Sequence, residues 1–175
     1  PARLPLFLQN RSGWSLLSRI DPLKKHNPTL LFRLYFVFWW YSSTTMNPVM
    51  IAPCGINCEV CSAHLRDKNV CNGCLSQIGY KSNSCQYCII RNCEALQSTP
   101  EHFCYDCPKF PCLRLKQLDK RYRTRYNTSP IENLKIIKNN GLSHFMELEI
   151  AKWHCPTCGG TICMHKGYCI NCRKN

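Results

Sequence analysis

Apolar positions recur with a helical period between residues 113 and 153, the longest stretch of this chain in which they do so. Leu115, Leu118, Tyr122 and Tyr126 fall at i, i+3, i+7 and i+11, one stripe of a helix that begins near Pro111. Arg114, Lys116, Lys120, Arg121, Arg123 and Arg125 surround that stripe with only Asp119 opposing, so the predicted helix is amphipathic and basic. Ser129-Pro130-Ile131-Glu132 then reads as a capping box, in which each of Ser129 and Glu132 takes the other's amide. Pro130 suits the first helical position because its missing N–H would have no partner there. This second helix turns Ile131, Leu134 and Ile137 inward and stops at Gly141, which is free to adopt a positive φ. A third follows from about Ser143, with Phe145, Leu148 and Ile150 as its expected buried positions.

The flanking regions are patterned differently. Residues 50–112 fall into short irregular stretches, and residues 154–175 read as tight turns joined by β-hairpins. Near the other end, the run from Leu30 to Tyr41 is apolar for 12 residues with Arg33 inside it. That is well short of the roughly 20 needed to span a bilayer, so no membrane association is expected. Lys24, Lys25 and His26 before the run, and Ser42-Ser43-Thr44-Thr45 after it, have the character of signal-peptide flanks. The expectation adopted is the plainer one: residues 1–49 are an extension outside the fold, with Met46 or Met50 as the start.

Composition changes the picture through one residue type. The chain has 16 cysteines in 175 residues, all from Cys54 onward. Six Cys-x-x-Cys pairs occur among them, a spacing that makes strained disulfides but good metal knuckles. Two quartets share the spacing C-x2-C-x10-C-x2-C: Cys71, Cys74, Cys85 and Cys88, and Cys155, Cys158, Cys169 and Cys172. Each is expected to hold a tetrahedral zinc ion, the second as a zinc ribbon whose Pro156 and Gly159 shape a rubredoxin-type knuckle. Cys163 and His165 in its connecting loop are surplus and read as a hairpin thiol and a surface histidine.

The remaining candidates are Cys54, Cys58, Cys61, Cys93, Cys104, Cys107 and Cys112. Seven ligands do not fill two sites of four, so either His64 completes a set with Cys54, Cys58 and Cys61, or one site keeps an open coordination place. Cys85, Cys88 and Cys93 acting as a unit is a further option. A helix beginning near Asn57 would set Cys58 at its N-terminus and lower that thiol's pKa. Tyr87, Phe103, Tyr105 and Phe110 are placed to shield such sites. The C-x3-C-x2-C run CGINCEVC matches the ligand spacing of radical enzymes using S-adenosylmethionine, but the chain has too few strand-like runs for the barrel they require. A plain iron–sulfur cluster remains the alternative to zinc.

Charge then argues less than it first suggests. The formal net charge is +13, and from residue 50 onward 17 lysines and arginines face 9 acidic residues. Four thiolates on one Zn²⁺ carry a net charge of about −2, so metal sites erode this excess quickly. The basic helix has two readings, a phosphate-contacting surface or a solvated outer face that offsets the thiolates.

Taken in order, CGINCEVC, CNGC, CIIRNC, FCYDCPKFPC, LKQLDKRYRTRY, SPIENLKIIKNNG, WHCPTCGG and CINC resemble the cysteine-rich family called domain of unknown function 3795. The resemblance covers roughly residues 50–175, and Met50-Ile51-Ala52 matches the short leader that such members carry before the first cysteine. Where members have Cys-Pro-Ala followed by an aromatic, this chain has Cys61-Ser62-Ala63-His64. The resemblance implies a zinc-binding cytosolic protein of bacterial or archaeal type and names no activity.

The expected fold is therefore a small metal-stabilised α+β protein, mostly α. An irregular cysteine-rich module and helices occupy residues 50–153, and a zinc ribbon residues 154–175. The expected cofactor is zinc, two or more ions, in a cytoplasmic protein. Without a legible substrate pocket, phosphate loop or Ser/His/Asp set, an interaction module is favoured, contacting nucleic acid or protein through residues 113–126. The alternative is a redox or metal-dependent enzyme using a Cys-x-x-Cys site.

Overall fold

A computed structural model describes residues 46–173, all within the unit Thr44–Asn175; the apolar run 30–41 and the rest of the segment before residue 46 lie outside the described residues. Two one-turn helices, α1 (Asn83–Gln86) and α2 (Glu94–Gln97), punctuate the cysteine-rich region. Three longer ones follow: α3 (Leu113–Tyr126), α4 (Pro130–Asn140) and α5 (Leu142–Trp153). The chain ends in an antiparallel hairpin of β1 (Ile162–Cys163) and β2 (Tyr168–Cys169), with Ile162 opposite Cys169 and Cys163 opposite Tyr168. The architecture is thus mostly helical, with an irregular cysteine-rich N-terminal region and a small hairpin at the C-terminus.

The stripe of α3 lies as its period predicts, with Leu115 buried and Leu118, Tyr122 and Tyr126 half-buried against the core. Asp119 is buried with them, at 3% exposure. Its carboxylate accepts from the Ser129 hydroxyl at 2.6 Å, the Ile131 amide at 3.2 Å and the Arg123 guanidinium at 2.8 Å. One acid therefore ties α3 to the start of α4. There the Ser129 hydroxyl takes the Glu132 amide at 3.1 Å as the capping box requires, while the Glu132 carboxylate pairs with Lys135 instead.

Gly141 ends α4 at φ 86°, and its amide closes the helix onto the Ile137 carbonyl. The next helix departs from expectation in its buried face. Phe145, Glu149 and Trp153 are buried, whereas Leu148 is 44% exposed. The i, i+4, i+8 stripe wins because it buries Phe145 and Trp153 together, and the Trp153 indole N–H satisfies Glu149 at 2.8 Å.

The core sits where these helices cover the first cysteine-bearing segment. Ile51, Ala52, Ile56 and Val60 pack with Leu115, Leu134, Ile137 and Phe145. Residues 51–58 are all buried. Gly55, at φ 82°, passes so close to α4 that a Cβ would lie 2.7 Å from the Pro130 carbonyl oxygen. The Asn133 amide group donates to the Gly55 carbonyl at 2.8 Å across the same contact. No helix forms at Asn57, because its backbone pairs with Ile51 in an isolated antiparallel bridge. The ribbon joins this core through Met164, which is buried and whose amide donates to the Val60 carbonyl at 2.9 Å.

Candidate metal centre

The ribbon positions its cysteines by short-range backbone geometry. The His154–Thr161 bridge and the Cys155 amide bond to the Gly160 carbonyl at 2.8 Å close the first knuckle. The β1–β2 register then returns Cys169 and Cys172 beneath it. The four sulfurs of Cys155, Cys158, Cys169 and Cys172 all lie within 4.8 Å of one another. Individual separations are 3.7 Å for Cys155–Cys172, 3.5 Å for Cys158–Cys169 and 3.3 Å for Cys158–Cys172. Tetrahedral zinc with Zn–S bonds of about 2.3 Å would set its sulfurs about 3.8 Å apart, so the group fits one ion with little movement. An iron–sulfur cluster binds its cysteines through more than one iron and would hold the sulfurs farther apart.

Electrostatics divides the four thiols. The amides of Cys158 and Thr157 point at the Cys155 sulfur and lower its pKa to about 6, which favours the thiolate. Cys172 is pushed up to about 12, first by the Cys158 thiol beside it. A divalent cation removes that opposition by binding all four as thiolates.

Among the described residues no other group of three or more potential ligands converges so closely. Cys71, Cys74, Cys85 and Cys88, with the same spacing, do not. Within that region Cys74 is raised mainly by its neighbour Cys58, and Cys85 mainly by Cys74. Cys54 and Cys61 are raised by burial. Cys104 is pushed up to about 12 by burial first, then by the thiols of Cys112, Cys93 and Cys107. Cys88 lies near Cys54, Cys74 and Cys104. All sixteen cysteines are free thiols.

Three surplus groups of the sequence also find places. His64 is half-buried with Nδ1 at 2.8 Å from the Cys71 carbonyl, so Nδ1 carries the proton. Cys163 is fully buried in the hairpin. His165, expected on the surface, is half-buried between the rings of Tyr122 and Tyr126, and the Ser62 amide donates to its Nδ1 at 3.4 Å. Burial lowers its pKa, favouring the neutral ring. Of the expected shielding aromatics, Phe103 and Tyr105 are buried and Phe110 is half-buried, but Tyr87 is 74% exposed.

A second feature lies beside the ribbon. The end of α3, the end of α5 and the hairpin turn enclose a groove of about 660 Å³, lined by Arg123, Arg125, Lys152, Lys166, Tyr126, Trp153 and His165 among others, with no acidic residue in its wall. Sequence reasoning singled out the arginines of α3 but missed Lys152, Trp153 and Lys166. They are far from α3 in sequence, and no pattern along the chain signals that the fold brings them together. No helix of the described residues is long and apolar enough to cross a membrane.

Residues 50–117 match the family described as Protein of unknown function (DUF3795), a segment that holds the eleven N-terminal cysteines and stops short of the ribbon. No curated protein and no solved structure matches the chain.

Proposed function

We propose that this protein is a zinc-stabilised module that binds nucleic acid in the groove between α3 and the ribbon. Zinc on Cys155, Cys158, Cys169 and Cys172 is structural: it fixes the hairpin, and the hairpin supplies one wall of the groove. The observation that carries the reading is the groove itself, which gathers basic side chains from three separate elements and sets aromatic rings among them. Arg125, Lys152 and Lys166 offer phosphate contacts, while Arg123 is partly satisfied by Asp119. Half-buried Tyr126 adds flat apolar surface of the kind on which an unpaired base stacks, while Trp153 is buried in the core behind the groove wall. Sixteen free thiols suit the reducing cytoplasm, the location that goes with this role.

The test is a triple change of Arg125, Lys152 and Lys166 to Ala in the full chain, read by RNA and DNA binding across a salt series. Metal content and helicity stay unchanged, affinity falls, and the slope of log K against log salt flattens by about 0.7 to 0.9 for each phosphate no longer neutralised. Undiminished nucleic-acid binding by a folded triple variant overturns the groove as the site. Absence of binding in the parent chain overturns the nucleic-acid reading and leaves a protein partner as the role of this surface.

A further inference from the structure

At the opposite end of α3 from the basic groove, four cysteines line a single small cavity. We infer that Cys93, Cys104, Cys107 and Cys112 hold a second divalent metal ion of the zinc class, in the cavity between α2, the 104–107 turn and the start of α3. In the sequence this set is only the remainder of one of two partitions, the one in which His64 joins Cys54, Cys58 and Cys61. It takes its members from two motifs, CIIRNC and FCYDCPKFPC, and leaves out Cys88, which spacing groups with Cys85.

The cavity has a volume of about 40 Å³ and is lined by these four cysteines together with Ile90, Leu96, Phe110 and Leu115. That volume has room for an ion-sized occupant. Each cysteine is carried at the end of a local element. Cys93 precedes α2, Cys104 and Cys107 bracket a one-turn 3₁₀ helix, and Cys112 is the N-cap of the 14-residue α3. The Cys93 and Cys112 side chains make no capping hydrogen bond, which leaves their sulfurs free to turn to a ligand. The Cys104 amide is anchored to the Pro53 carbonyl at 2.9 Å and the Phe110 amide to the Cys107 carbonyl at 2.9 Å, so the knuckle is tied to the core.

Charge supports the same occupant. Lys109 and Arg114 also line the cavity, and two cations beside four thiolates offset the net negative charge that a Zn²⁺(Cys)₄ site carries. The four cysteines line the cavity, but no three of their sulfurs lie within 4.8 Å of one another as the ribbon's do. Ion binding draws them inward onto bonds of about 2.3 Å.

The experiment uses the full chain, purified anaerobically. Zinc per chain is measured for the parent, for Cys104→Ser/Cys107→Ser, for Cys155→Ser, and for Cys163→Ser as a buried cysteine of neither set. The expected result is loss of one zinc in the first variant, loss of a different one in Cys155→Ser, and none in Cys163→Ser. Because a ligand variant can unfold its surroundings, native-state alkylation of the parent is read by peptide mass spectrometry with and without chelator. Cys93, Cys104, Cys107 and Cys112 should then gain label together on chelation while far-ultraviolet circular dichroism keeps the signal of α3–α5. Four sulfurs that label independently of chelator overturn the inference, as does unchanged zinc in the double variant. Iron with acid-labile sulfide in place of zinc overturns it equally.

Discussion

Cys155, Cys158, Cys169 and Cys172 share the spacing of Cys71, Cys74, Cys85 and Cys88, yet among the described residues only the ribbon's four sulfurs all lie within 4.8 Å of one another. The difference lies in the ten residues between the pairs. In the ribbon they form a registered hairpin, and backbone pairing returns the second knuckle to the first. In the N-terminal module the intervening chain is held by the Asn72 amide on the Tyr80 carbonyl at 3.1 Å and then enters α1. Nothing in it acts as a ladder. Equal spacing therefore makes a metal site possible, and the connecting backbone decides whether it forms locally. In the N-terminal module the cysteines are gathered by tertiary packing instead, around a core made from α3, α4 and α5.

The largest expected effect separates the two regions by their dependence on metal. Structural zinc sites contribute apparent folding free energies of about 10–16 kcal/mol in isolated peptides. Cys155→Ser should therefore unfold the hairpin, seen as lost amide-exchange protection at residues 155–172, while Leu115, Leu134 and Phe145 stay protected. Loss of protection throughout would mean that the ribbon and the helical core form one cooperative unit. Next, Phe145→Ala should cost about 3–5 kcal/mol, because Phe145 is 1% exposed at the centre of the helices. Denaturant unfolding checks the magnitude. Cobalt bound at the ribbon should keep its absorption spectrum, since those four ligands do not rely on that core.

Gly55→Ala probes the seam between the regions more narrowly. Both the positive φ and the approach of the Pro130 carbonyl oppose a Cβ, and about 2–3 kcal/mol of destabilisation is expected. An unchanged unfolding midpoint would show that the Ile51–Val60 segment is not held against α4. The smallest effect should be a gain. Burial raises the Glu149 carboxyl, so the folded state holds that proton more tightly than the unfolded chain does. Stability from this group is full in acid and is lost as pH rises from the ordinary glutamate range through the raised folded value. Glu149→Gln keeps an acceptor for the Trp153 indole and removes the buried charge, so it should stabilise by about 1 kcal/mol at neutral pH. Melting curves across that window should show the gain shrinking toward acid, and a pH-independent difference would rule out charge burial as its cause.

Much of this architecture is legible in the order of residues. The stripe Leu115, Leu118, Tyr122 and Tyr126, the Ser129 cap, the stop at Gly141 and the ribbon knuckles all rest on interactions within a few residues, where propensity and hydrogen-bond geometry act directly. The choice of Glu149 over Leu148 for the buried face of α5 is not legible, because it follows from what α4 and the ribbon present to that helix. The pairing of Asn57 with Ile51, the burial of His165 against two tyrosines and the groove that joins Arg125 to Lys152 and Lys166 belong to the same kind.

Sequence by itself determined the local devices: three helices, their caps, and one metal knuckle pair with a hairpin between. Tertiary structure alone decided which of the eleven N-terminal cysteines face one another and which basic residues share a wall. The physical reason is range. Hydrogen bonds and helical period act over three or four residues, whereas packing brings Cys93 to Cys112 and Arg125 to Lys166 through a core whose shape no local pattern encodes.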